Sequence, residues 1–78
     1  MKTMRDVDLT TEEKELSIEA LQRYSDAGPY PDEKNFGFFT QDHMVECLQK
    51  ALKQSKYTQL GLTLVASILY KIGDKNGA

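Results

Sequence analysis

One stretch constrains this chain more than any other. Residues 60–72 hold Leu60, Leu62, Leu64, Val65, Ile68, Leu69, Tyr70 and Ile72, interrupted by the polar Thr63, Ser67 and Lys71. The stretch is well short of the ~20 apolar residues needed to span a bilayer, so no membrane-crossing helix is expected. Gln59, Thr63, Ser67 and Lys71 recur every fourth residue, which on a helix makes one thin polar stripe and leaves most of the circumference apolar. A helix of that kind is either central in its own fold or shared with another chain. The whole chain has 78 residues, enough for one domain, and a domain near this size buries only ~60% of the surface that its unfolded chain exposes. Two further short helices offer too little mass to cover so apolar a third. The expectation is a docking surface for a protein partner or a second copy, made by Leu60, Leu62, Leu64, Val65, Ile68, Leu69 and Ile72.

The other helices follow from caps and spacing. Thr10 followed three residues later by Glu13 is a capping box, and the acidic Glu12 and Glu13 suit the positive end of a helix dipole. Leu16, Ala20, Leu21 and Tyr24 then recur at helical spacing, which predicts a first helix over residues 10–25. Ile18 lies off that stripe. Thr40, Gln41, Asp42 and His43 give a second N-terminal signature, with Met44, Leu48 and Ala51 as one apolar face and Val45 and Leu52 beside it. Beyond residue 52 two arrangements compete: a turn within polar residues 53–59, or one helix running from 41 to 72 with a coiled-coil-like seam. Gly61 costs the continuous helix ~1 kcal/mol relative to alanine, which favours the break. Gly73, Asn76 and Gly77 end the last helix, with Lys71 in its final turn.

The expected fold class is all-α: a three-helix domain, or a short and long helical hairpin, closed by an ordered loop rich in aromatics, proline and glycine. Residues 26–37 contain Pro29, Pro31, Gly28 and Gly37, which break helices. Tyr30, Phe36, Phe38 and Phe39 in and beside this loop are too much apolar surface for an idle connection. They are expected to plug one end of the core, with a short extended piece at 36–40. Residues 1–9 are expected as a flexible lead-in, 10–73 as the single helical domain and 74–78 as a flexible tail.

Chemistry-bearing residues are sparse. Cys47 is the only cysteine and His43 the only histidine, so an internal disulfide and a cysteine-based zinc site are both excluded. Glu46 and Cys47 are the only local partners for His43, and the expected role is a histidine in the first turn of a helix. Cys47 is expected at the edge of the core rather than as a nucleophile. A calcium loop starting at Asp26 would need ligands where Gly28, Pro31 and Gly37 stand. No cofactor, metal or catalytic residue is expected, and the chain is read as non-enzymatic. The charged start of the chain lacks the apolar run of a secretory signal, which with a single thiol points to the cytoplasm.

Arg23-Tyr24-Ser25-Asp26-Ala27-Gly28-Pro29-Tyr30-Pro31, then Asn35-Phe36-Gly37-Phe38-Phe39-Thr40-Gln41-Asp42-His43-Met44, resembles the helix-wing-helix portion of MerR-type regulators. There an Arg-Tyr pair ends the recognition helix, and a turn with proline leads to an aromatic wing. The resemblance implies a winged-helix DNA-binding regulator. The sequence departs from that pattern upstream, where residues 12–22 run as one helix and place Glu13, Glu15 and Glu19 against phosphate. Net charge is −2, with residues 1–39 at −4 and the remainder at +2, so counterion release offers little affinity for nucleic acid. The function read from the sequence is a small adaptor, regulator or chaperone-like subunit that binds protein through its last helix, with the winged-helix regulator as the alternative.

Overall fold

The computed structural model describes residues 2–25, 34–54 and 56–73. Three α-helices carry the fold: α1 (Thr11–Tyr24), α2 (Gln41–Gln54) and α3 (Gln59–Ile72), with short 3-10 turns at Met4–Asp6 and Phe36–Phe38. The protein is an all-α three-helix domain, and the chain breaks between α2 and α3 instead of running on as one long helix. Each helix begins where a threonine can satisfy an amide that has no partner within the helix. Thr10 Oγ1 accepts from the Glu13 amide at 3.2 Å, Thr40 Oγ1 from the His43 amide at 3.1 Å, and Thr58 Oγ1 from the Gly61 amide at 3.2 Å. The exit of α3 is a left-handed turn at Gly73, where φ is 100° and a side chain would be strained.

The core is built at helical spacing. Ala20 and Leu21 of α1 meet Met44, Cys47 and Leu48 of α2 and Val65 and Ile68 of α3, all buried. Ala51 continues the inward face of α2. Leu16, Ile18 and Tyr24 are half-buried against this cluster, so α1 has a broad buried face that takes in the off-stripe Ile18. Each large side chain fully removed from water contributes ~1.5–3 kcal/mol, so these few residues account for most of the apolar driving force.

The N-terminal segment, expected as a flexible lead-in, is packed instead. Met4 is 1% exposed and belongs to the core. Its amide donates to the Phe39 carbonyl at 2.8 Å, and the Gln41 amide donates to the Lys2 carbonyl at 3.2 Å. Thr3 and Thr40 form an isolated antiparallel bridge. The physical reason is the end of the core near the second 3-10 turn: the helices leave it open, and Met4 together with Phe36 fills it.

The aromatic segment divides its labour. Phe36 is buried, Phe39 is half-buried, and Phe38 is 63% exposed beneath the Arg5 guanidinium, which lies 4.6 Å from the ring centroid. Residues 36–38 form a 3-10 turn where an extended piece is expected from sequence; the backbone is extended only from Phe39. Gly37 packs closely against the N-terminal segment: a Cβ at that position would stand 3.2 Å from the Arg5 Cβ, a tight contact that Arg5 would have to yield to. The rest of the expected plug, Tyr30 with Pro29 and Pro31, lies outside the described residues, as does the tail 74–78.

Candidate protein-docking face on the third helix

The sequence of α3 sorts its side chains into three zones. Val65 and Ile68, at 1% and 0% exposed, face α1 and α2. Leu64, Leu69 and Ile72 are half-buried at the margins. Leu60 at 70%, Leu62 at 42% and Tyr70 at 66% are exposed. Of the seven residues expected to dock a partner, Val65 and Ile68 are therefore corrected to core positions, because α1 and α2 together do cover one side of the helix. Leu60 and Leu62 remain outward, with Leu64, Leu69 and Ile72 flanking them.

Sequence reasoning missed two residues of this surface, Ala66 and Tyr70, both exposed. The signal was present: Leu62, Ala66 and Tyr70 stand at i, i+4 and i+8, which on a helix is one row. Leu60 lies on a different edge, in line with Leu64, Ser67 and Lys71.

The polar stripe is not one solvated line. Thr63 Oγ1 donates to the Gln59 carbonyl of its own helix at 3.0 Å. Ser67 and Lys71 turn to α1, where both donate to Glu13; the Lys71 Nζ to Glu13 Oε1 distance is 2.8 Å. Glu13 is 2% exposed. Its Oε1 also accepts from the Thr10 amide at 2.8 Å, so one carboxylate closes the cap of α1 and anchors α3. Ser17, buried one turn on, donates to the Glu13 carbonyl at 2.8 Å. Burial by itself pushes the Glu13 carboxyl up, but hydrogen bonds from Lys71, Ser67 and Thr10 outweigh it and hold the group at about 2, below its ordinary 4.5. The consequence for α3 is electrostatic: its sole charged residue is engaged with α1, and the outward face is left uncharged.

Local geometry sets the start of this face. Tyr57 folds over the first turn of α3, and a Cβ at position 61 would come within 3.1 Å of its ring. Gly61 thus permits the close approach that the sequence pattern registers only as a helix-weakening glycine.

Two other clusters gather polar side chains. His43 Nε2 shares a hydrogen bond with Ser25 Oγ at 3.0 Å and lies 3.8 Å from Cys47 Sγ, while Phe39 stacks on the ring at 6.0 Å between centroids. Ser25 is the C-cap residue of α1, so the contact ties the end of α1 to the first turn of α2. Cys47 is 1% exposed, which keeps its sulfur inside the core. Among the described residues no three of His, Cys, Asp and Glu gather as a metal site. The second cluster lines an open cleft beside the two 3-10 turns, whose walls include Arg5, Asp8, Lys14 and Lys34 together with Met4 and Phe36.

Residues 36–38, expected in an aromatic wing, form a 3-10 turn pinned to the N-terminal segment, and Arg23 pairs with Glu19 on its own helix at 3.6 Å. No helix among the described residues is long and apolar enough to cross a membrane. Comparison of the chain with protein-family models, with curated proteins and with solved structures finds no match.

Proposed function

We propose that this chain is a non-enzymatic protein-interaction module, an adaptor, regulator or chaperone-like subunit, whose docking surface is the outward side of α3. The observation that carries the reading is the exposure of Leu60, Leu62 and Tyr70 on a helix with no free charge. Single exposed apolar residues are ordinary on any protein, but Leu62, Ala66 and Tyr70 stand exposed along one row of a fourteen-residue helix, with Leu60 exposed on a second edge. Burying such a patch yields ~25 cal/mol for each Å² of apolar surface, and the gain does not depend on ionic strength. A cytoplasmic setting fits a chain whose single cysteine, Cys47, is buried in the core.

The test is association against salt. Protein binding through α3 is expected to persist at high salt and to be lost in the double variant Leu62→Glu, Tyr70→Glu, whose substitutions are on the surface and leave the core intact. DNA binding with a steep salt dependence, abolished by Arg23→Ala, would replace this reading with the winged-helix alternative.

A further inference from the structure

We propose that the cleft beside the two 3-10 turns is a binding site for a small carboxylate carried on an apolar body. The site is separate from the docking surface on α3, since none of the residues that line it belongs to that helix. Its volume of about 390 Å³ lies toward the low end of the range of pockets that take small molecules. The lining comes from the N-terminal segment, from Lys14 on α1 and from the segment 34–38. The hydrogen bond from the Met4 amide to the Phe39 carbonyl holds the first and last of these together, so the walls are in place before a ligand arrives.

Charge selects an anion. Arg5, Lys14 and Lys34 line the cleft against the single carboxylate of Asp8. Among the described residues neither Arg5 nor Lys14 is within ion-pair distance of a carboxylate, whereas Arg23, Lys50 and Lys71 each have one. The Arg5 guanidinium lies over the Phe38 ring at 4.6 Å from its centroid, and Phe38 lines the same cleft. Stacking occupies the face of the guanidinium, while its N–H donors lie in the plane of the group and suit the two oxygens of a carboxylate. Asp8 repels a second negative charge, which favours a singly charged carboxylate over a doubly charged phosphate monoester.

The apolar part of the lining selects what carries the charge. Val7 and Leu9 are half-buried and Phe38 is exposed, so the cleft presents apolar surface beside its cations. A fully polar anion would leave that surface in water, and a neutral apolar molecule would leave Arg5 and Lys14 without a counter-charge. A ligand with a carboxylate at one end and an aromatic or aliphatic body satisfies both.

The test is a titration of the full chain with phenylbutyrate, followed through the backbone amide resonances by NMR, beside the neutral phenylbutyramide. The carboxylate is expected to saturate one site, to shift the amides of residues 4–9 and 34–38 and not those of α3, and to bind about tenfold or more tightly than the amide. Arg5→Gln and Lys14→Gln are each expected to weaken it about tenfold. Phe38→Ala is expected to weaken it without loss of the fold, because that ring is exposed. Thermal unfolding of each variant by circular dichroism separates loss of the site from loss of the fold. The double variant Leu62→Glu, Tyr70→Glu is expected to bind phenylbutyrate as the wild type does, so failure of the docking reading leaves this site standing. No binding, equal affinity for the carboxylate and the amide, shifts that fall on α3, or affinity unchanged in both Arg5→Gln and Lys14→Gln would overturn the proposal.

Discussion

Glu13 is where a single substitution reports most directly on how α1 and α3 are held together. Glu13→Gln keeps the length of the side chain and one acceptor for the Thr10 amide, but it removes the charge and turns an amide donor toward Ser67 and Lys71. The carboxyl is held at about 2 in the folded chain against an ordinary 4.5, and each tenfold change in proton affinity is worth ~1.4 kcal/mol. The charged form therefore contributes about 3 kcal/mol to folding at neutral pH. That is at the low end of the loss expected for a fully buried pair, consistent with Lys71, whose side chain is 34% exposed and can rehydrate. A chain of this length has a total stability of about 4–12 kcal/mol, so the substitution removes a large share of it.

The sign of the pH dependence is fixed by the direction of the shift. A carboxyl whose folded value is depressed stabilises fully above its unfolded value and loses that contribution as pH falls toward its folded value. Urea unfolding followed by circular dichroism, on the wild-type and Glu13→Gln chains from about pH 7 to about pH 2, isolates the effect, since the other carboxyls titrate in both. The difference in stability is expected to be constant above about pH 5 and to close between about pH 5 and pH 2. Equal stability at neutral pH, or a difference that stays the same down to pH 2, would refute the role assigned to the charge.

Phe36→Ala is expected to cost ~3–5 kcal/mol in urea unfolding, whereas the exposed Phe38→Ala should stay within ~0.5 kcal/mol; equal effects would show that the two rings share the core. Met4→Ala is expected to cost ~2–5 kcal/mol, and a neutral result would mean that the N-terminal segment is not part of the cooperative unit.

The helices were legible because their signals are local. Thr10 with Glu13, and Thr40 ahead of His43, stand within one turn of the amides they satisfy, and the alternation of Met44, Leu48 and Ala51 states its own period. The turn between α2 and α3 was legible for the same reason, as a run of polar residues followed by Gly61. What was not legible depends on residues distant in sequence. Glu13 looks complete as a capping residue, and nothing near it announces Ser67 and Lys71, 54 and 58 positions away. The stripe that contains them has one period whether it faces water or a buried carboxylate. Met4 lies in a segment too short for any periodicity, and its burial follows from a gap that the helices leave. A helix apolar on most sides likewise does not say which side faces outward, so its sequence alone does not separate the buried Val65 and Ile68 from the exposed Leu60 and Leu62.

The clasp between the N-terminal segment and the start of α2 also bears on how the chain reaches its fold. The Met4 amide must find the Phe39 carbonyl across 35 positions, and closing a loop of that length costs about 3 kcal/mol of chain entropy. Glu13 waits for partners still more distant. Although the secondary structure is helical and forms locally, two of the contacts that fix it are non-local, and non-local closure slows folding. During synthesis α1 emerges early with its own cap already made, yet its buried carboxylate acquires its counter-charge only after α3 has been added. Until then Glu13 remains solvated and the first helix is held by its cap alone, so the order of translation runs opposite to the order in which its charge is satisfied.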